Sequence, residues 1–320
     1  MSSPATKTSP AIEARGLTKR YDGFVAVDHL DLAIERGEVF GFLGPNGSGK
    51  TTTILMWLGL TEPSGGVARV WGHNSTREPL QVKRIAGYVP ENVGFYDDLS
   101  ARHNLLYTAR LNRMPGHQAD AAIERALDYV GLKEVVSKKV GQFSRGMRQR
   151  LAIADIVVKA PRVVFLDEPT LGLDQEGISR VLELIQRLSQ EQGITVVVSS
   201  HQLHQVQQVC HRVGIMSRGR LVAQGTVEEL ARSLGTTQGL AVEIEVEGRD
   251  EALLAALRQV PGVEAVEAAD RFISVRCQPS TRPRLARAVL DRGGLLVQMR
   301  SKDLTLEEIY LRYFTGGEGE

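Results

Sequence analysis

Apolar and polar positions alternate by twos along Val25–Ile34 (VAVDHLDLAI), the period of a half-buried strand. Glu38–Gly44 (EVFGFLG) is a short apolar run ending in a glycine turn, as a fully buried strand would be. The pattern then changes. From Ser100 to Lys159, stretches such as ARHNLLYTARL and ADAAIERALDYV repeat at helical spacing, which predicts an all-helical insert. Strand-like runs return in RVVFLDE (Arg162–Glu168) and ITVVVSSH (Ile194–His201), with a helical stretch over Gln175–Gln192 between them. Strand, helix and strand in that order imply a right-handed crossover and a parallel sheet. VGIMSRGRLVAQG predicts a hairpin turning at Arg218-Gly219.

Around GTTQG (residues 235–239) the composition loosens, and the boundary between two domains is expected there. Beyond it, LAVEIEVEG, DEALLAALRQV, VEAVEAA, RFISVRC, TRPRLARAVLD and GLLVQMRS alternate as strand, helix, strand, strand, helix, strand. That order predicts a small ferredoxin-like α+β domain over residues 236–315. A last helix follows, with Thr305 as its cap and Glu308 as the reciprocal partner. Residues 1–11, small, polar and punctuated by proline, are expected to be a disordered tail, and residues 316–320 a flexible one. No catalytic constellation falls in the second domain, so a regulatory or dimer-bracing module is its expected role.

Composition narrows the picture further. With 39 basic and 38 acidic side chains among 320 residues, no overall field gathers nucleic acid or anionic lipid. The two cysteines, Cys210 and Cys277, are far apart and fit a reducing compartment better than a disulfide framework. No apolar run reaches the ~18 residues of a membrane span, so a soluble cytoplasmic chain is expected, with any membrane role supplied by a partner.

The chemistry begins at Gly44-Pro45-Asn46-Gly47-Ser48-Gly49-Lys50-Thr51, which fits the phosphate-binding pattern G-x-x-x-x-G-K-[ST] between a buried strand and an apolar helix. Its glycines let successive backbone N–H groups face phosphate oxygens, and the helix start adds partial positive charge. Lys50 is expected on the β- and γ-phosphates of ATP and the Thr51 hydroxyl on Mg²⁺, with Thr52 beside it in the nucleotide-binding set. Asp167-Glu168 closes the strand VVFL, where open parallel sheets place their ligand crevice. Asp167 suits the Mg²⁺ shell, and Glu168 suits polarisation of the attacking water. His201 ends another core strand within reach of the γ-phosphate, a position that also suits a structural histidine.

FSRGMRQR (Phe143–Arg150) adds a helix start. Ser144 reads as the N-cap of a helix whose apolar stripe is Met147, Leu151, Ala154 and Val158. Arg145, Arg148 and Arg150 do not share one helical face, which argues against a nucleic-acid stripe.

Together these motifs resemble the ATP-binding subunits of ABC transporters over about residues 12–235. The resemblance implies a P-loop ABC-type ATPase core of α/β class, with an antiparallel β subdomain and a helical subdomain at about residues 100–160. It implies that Ser144, Arg145, Gly146 and Met147 form the signature, which closes over the γ-phosphate held by the opposite subunit. It places Tyr21 against adenine with Val27 in the same pocket, Glu91 in the Q-loop touching nucleotide and Mg²⁺, and Leu173 and Asp174 in the D-loop. Glu168 and His201 become the catalytic pair. Arg145, Met147 and Glu91 depart from the family's usual Gly, Gln and Gln, in a manner familiar from exporter ATPases of the daunorubicin-resistance and nitrous-oxide-reductase-maturation type. The expected partners are a second ATPase subunit, identical or related, and a separately encoded integral-membrane permease on whose cytoplasmic face the chain sits. Export is the expected direction, and no nucleic acid is expected. The rival class, a soluble ABC-type ATPase acting on ribosomes or nucleic acid, lacks support from a second ATPase module, a long coiled coil or a basic stripe.

Overall fold

The computed structural model describes residues 9–234, 240–247, 250–269, 272–278, 281–302 and 306–315. The chain divides into two compact units, residues 1–226 and 227–320.

In the first unit, β1 (Ile12–Tyr21) and β2 (Phe24–Ile34) pair as an antiparallel hairpin. The five residues of β3 (Val39–Leu43) are all buried and lead into α1 (Lys50–Trp57). β4 (Gly65–Val70) and β5 (His73–Asn74) complete a sheet in the order β2-β1-β4-β5. After α2 (Pro79–Ile85) and β6 (Ala86–Val89) come the helices of the insert: α3 (Ala101–Leu111), α4 (Gly116–Tyr129) and α5 (Arg145–Val157). The chain continues through β7 (Val163–Asp167), α6 (Gln175–Gln192), β8 (Thr195–Ser200), α7 (Leu203–Val209), β9 (Arg212–Ser217) and β10 (Arg220–Gly225).

The second sheet runs β10-β9-β3-β8-β7-β6, with β6, β7, β8, β3 and β9 mutually parallel and β10 added as the expected hairpin. Parallel neighbours end on the same edge. The C-terminal ends of β3, β7 and β8 therefore carry the glycine loop, Asp167-Glu168 and His201 to one rim, the crevice that open α/β sheets offer ligands. Two apolar clusters hold the unit: Phe40, Phe42, Trp57 and Phe165 anchor one, while Leu105, Ile123, Leu151 and Leu188 belong to the other, which fastens the helical insert to the sheet.

The second unit contains α8 (Val227–Ser233), β11 (Leu240–Glu247), α9 (Glu251–Arg258), β12 (Val263–Ala269), β13 (Phe272–Cys277), α10 (Arg282–Asp291), β14 (Leu295–Lys302) and α11 (Leu306–Thr315). Its antiparallel sheet runs β12-β13-β11-β14, the ferredoxin-like order, with the α9 and α10 side chains Leu253, Leu257, Leu285 and Val289 buried with Val242, Ile244, Ile273 and Val275.

Two expectations need correction. Ala11, placed in the tail, is fully buried: its N–H donates to the Ile34 carbonyl at 2.8 Å and its carbonyl accepts from Trp71 N–H at 2.7 Å. An apolar residue so buried and bonded belongs with the sheet it precedes and not with a tail. The units divide at Thr226, ahead of the boundary placed at residue 235, because α8 packs with α11, where Ser233 Oγ and Tyr313 OH are 2.7 Å apart. The GTTQG stretch, the Thr305 cap and most of both tails lie outside the described residues.

Candidate functional site

Gly49 is the N-cap of α1 and contributes no side-chain cap, so the first-turn N–H groups are left for an anion. Its φ of 103° lies where side chains are rarely tolerated, and a Cβ there would stand 2.5 Å from the Ala26 carbonyl oxygen. Gly49→Ala is therefore expected to destabilise the fold by about 1–3 kcal/mol from backbone strain alone, read as a lower denaturant midpoint at an unchanged slope. Val27, expected in a nucleotide pocket, is fully buried in the core instead, with its Cγ2 3.3 Å from that same Cβ position. It supports the loop from below and offers no surface to a base.

Lys50 is buried, and its Nζ donates to the carbonyls of Gly44 at 2.8 Å and Pro45 at 3.1 Å. Burial holds its ammonium below the ordinary lysine range, opposed by the charges of Glu168 and Asp167. An ammonium held by two neutral carbonyls, with carboxylates near, is available to a stronger acceptor such as phosphate. The Ser48 Oγ in the loop is buried and has no hydrogen-bond partner among the described residues. Thr52 follows on α1, half-buried.

The Thr51 hydroxyl donates to Asp167 Oδ2 at 2.8 Å, joining the loop to the end of β7. Glu168, one residue on, takes a left-handed φ of 49°, a conformation that costs a non-glycine residue about 1–3 kcal/mol. That turn carries its carboxylate to β8, where Oε1 lies 2.9 Å from His201 Nδ1 and Oε2 accepts from Ser200 Oγ at 3.4 Å. The carboxylate is 8% exposed against 40% for the imidazole, so the histidine forms the solvent side of the pair. Ser200 is a site residue that sequence reasoning missed, although it directly precedes His201 in the quoted strand. Exposed Glu91 follows β6, and burial first, then the charges of Asp167 and Glu91, push the Tyr88 phenol up to about 12.

Tyr21, at the end of β1, is 43% exposed, with Lys19 Nζ 4.8 Å from its ring centroid. Ser144 caps α5 as expected, its Oγ accepting from Met147 N–H at 3.2 Å. Met147 packs on the helical core while Leu151, Ala154 and Val158 are buried in it. Asp174 caps α6, accepting from Gly177 N–H at 3.0 Å, and Leu173 beside it packs on the same core. Gly146 faces Gly177, so the two helix starts adjoin and line one cavity of about 300 Å³. The other arginines of the stretch are used internally. Arg148 pairs with Asp97 at 2.8 Å, and Arg150 Nη1 donates to the carbonyls of Val130 at 2.9 Å and Gly131 at 3.0 Å. Neither forms part of a basic stripe.

The residues at the rim suit a nucleotide with Mg²⁺. Thr51 and Asp167 offer two hard oxygens, and no cluster of three or more potential metal-ligating His, Cys, Asp or Glu occurs among the described residues. Mg²⁺ normally completes its shell with phosphate oxygens and water, so a hydroxyl and one carboxylate are the expected protein share.

A family model described as "ABC transporter" matches residues 27–171. The bacitracin transport ATP-binding protein BcrA of Bacillus licheniformis is 33% identical over 309 residues, covering 97% of this chain and 99% of that protein. The daunorubicin/doxorubicin resistance ATP-binding protein DrrA of Streptomyces peucetius is 38% identical over 231 residues, 72% of this chain and 70% of that protein. Among solved structures, cbiO1 from Clostridium perfringens, part of the ABC transporter complex cbiONQ, superposes with a TM-score of 0.66 at 27% identity, covering 72% of this chain and 95% of that one.

Proposed function

The chain belongs to the ATP-binding subunits of ABC transporters, and on that premise we propose that two copies close head to tail around two ATP molecules to drive a separate membrane permease. It binds and hydrolyses ATP with Mg²⁺, and its relatives include ATP-binding proteins of bacitracin transport and of linearmycin and daunorubicin resistance. Those relatives favour export as the direction. Two identical copies are favoured because one chain carries both halves of a composite site, the glycine loop with its acids and the Ser144 signature.

Within that reading the side chains divide the work. The N–H groups of Gly44, Asn46, Gly47, Ser48 and Gly49 cradle the phosphates while Pro45, which has no N–H, shapes the loop, and Lys50 exchanges its two carbonyl acceptors for the β- and γ-phosphates. Thr51 and Thr52 can donate to the nucleotide's oxygens, while the Thr51 oxygen, Asp167 and Glu91 would hold its Mg²⁺, which would supply charge neutralisation along the phosphates. Glu168 accepts a proton from the attacking water, and His201 and Ser200 hold its two oxygens in aim. Tyr21 stacks on the base. Ser144, Arg145, Gly146 and Met147, with the D-loop Leu173 and Asp174, complete the partner's site. The observation that carries the reading is the bonded chain Thr51–Asp167, Glu168–His201 along one sheet edge.

The described residues include no helix long and apolar enough to cross a membrane. Attachment to the cytoplasmic face through the permease is therefore proposed, with Glu91 and the helical insert as the docking side.

The signature's role in trans has a direct test. Ser144→Arg fills the helix start with a bulky side chain that faces the other copy. ATP binding to the monomer is expected to stay within about twofold, while ATP-dependent dimerisation and turnover disappear. Loss of monomer binding, measured with a fluorescent ATP analogue at dilution, would show instead that Ser144 serves its own loop.

A further inference from the structure

The near equality of acidic and basic side chains conceals a local imbalance around α2. Between Leu60 and Ala86 the acids Glu62 and Glu78 stand against Arg69, Arg77, Lys83 and Arg84. Glu78 is turned back to β5, with Oε2 accepting from the Asn74 N–H at 3.0 Å and Oε1 lying 3.2 Å from His73 Nδ1. Arg69 is drawn off in the same direction, its Nη1 donating to the Gly72 carbonyl at 3.2 Å. That leaves Arg77, Lys83 and Arg84 against exposed Glu62. All three cations are exposed, and no described residue takes a hydrogen bond or ion pair from their side chains. In α2, Val82 is buried in the core, so Leu80, Lys83 and Arg84, at i, i+3 and i+4, share the opposite face. Leu80 is 70% exposed, more than any other large apolar side chain among the described residues. A second leucine adjoins it. Leu60 is 52% exposed and follows Gly59, where a Cβ would lie 2.9 Å from Pro79 Cβ at the start of α2.

Leucines ringed by unpaired cations fit a bilayer rich in anionic lipid, where apolar side chains reach the acyl boundary while the cations meet headgroup phosphates. An acidic protein face would answer the charge and leave the leucines without an apolar partner. The patch also borders the helical insert, because Leu60 and Lys83 line a cavity of about 250 Å³ together with Thr108 of α3 and Asp155 of α5. We propose that it is a direct membrane contact, in which Leu60 and Leu80 enter the headgroup layer and Arg77, Lys83 and Arg84 take up lipid phosphates. The inference rests on the reading that the helical insert is the docking side and so faces the bilayer. The chain then holds the membrane by two means, the permease and the lipid beside it. Each can be weak alone, since either one raises the local concentration for the other.

The test floats the full chain, free of nucleotide and permease, with vesicles of equal parts phosphatidylcholine and phosphatidylglycerol, and reads the lipid concentration at half-binding. The wild type should float with these vesicles, less so as salt is added, and stay behind with phosphatidylcholine alone. Arg77→Gln, Lys83→Gln and Arg84→Gln together should raise the half-point roughly 100-fold, about fivefold per charge. Arg284→Gln, Arg287→Gln and Arg292→Gln remove as many exposed charges from the second unit and should change it less than about threefold. Leu80→Ser should raise it about 3- to 10-fold while leaving binding to soluble polyglutamate unaltered. All these side chains are exposed, so the fold should be kept, and unchanged ATP binding checks that it is. A wild-type chain that does not float overturns the proposal, as does a first triple variant that binds like the wild type or a second-unit triple that loses as much. Vesicle binding indifferent to Leu80 overturns it too, because charge alone then accounts for adsorption and an acidic protein face would serve as well. The assay contains no permease, so its failure strikes the lipid contact alone, and the docking of Glu91 and the helical insert is judged separately by assembly with the permease.

Discussion

Glu168→Gln is expected to hydrolyse ATP about 10²–10⁴-fold more slowly than the wild-type chain, the usual worth of a general base. Glutamine keeps the length of the side chain and can still bond to His201 Nδ1 and Ser200 Oγ, so the strained turn at Glu168 and the end of β8 are retained. What is lost is the negative charge that draws a proton from water. The same charge repels the γ-phosphate, so its removal should also lengthen the life of the closed dimer with Mg-ATP. Asp167→Asn must behave differently, because that carboxylate is tied to Thr51 and serves Mg²⁺. It should weaken Mg²⁺-dependent binding and with it dimer formation. Size-exclusion chromatography with Mg-ATP distinguishes the two. A Glu168→Gln chain that remains monomeric and hydrolyses at the wild-type rate would remove Glu168 from the role of catalytic carboxylate.

Lys50→Ala comes second in expected effect. The lysine is buried and already held below its ordinary pKa range by that burial, so its charge is costly to maintain without an anion. Removing it forfeits a charge-assisted contact of about 1.5–3 kcal/mol, or roughly 10- to 100-fold in ATP affinity. The fold itself should survive, since the acceptors left behind are loop carbonyls of Gly44 and Pro45. Equilibrium binding on protein with an unchanged circular dichroism spectrum is the check, and unchanged affinity with unchanged turnover would refute the loop's assignment.

The parts legible in the sequence are those in which function and geometry share one contiguous stretch. The glycine loop needs only its own spacing and a strand before it, and Ser144 announces its cap by residue type and position. Asp167 and His201 were readable because strand ends in a parallel sheet share an edge once the strands are recognised. Val27 was not, since period-two alternation says that a residue faces inward without saying whether a pocket or the core lies there. Nor could the sequence show that Glu168 reaches Ser200, or that Gly146 faces Gly177. Those contacts depend on a left-handed turn at Glu168 and on two helix starts meeting, and neither leaves a periodic trace. Ala11 was lost to its proline-rich neighbours, although it is bonded to both Ile34 and Trp71.

Mixing two inactive variants, Lys50→Ala and Ser144→Arg, tests the composite site most directly. Each parent spoils both sites of its own dimer, one through the loop and the other through the signature. A mixed dimer has one doubly damaged site and one intact site, built from the loop of one copy and the signature of the other. With independent sites and one intact site in each mixed pair, ATPase activity on mixing should rise from background to at most about one half of the wild-type rate. A mixture that stays as inactive as its parents, while both chains remain folded, would contradict a site shared between two copies of this chain.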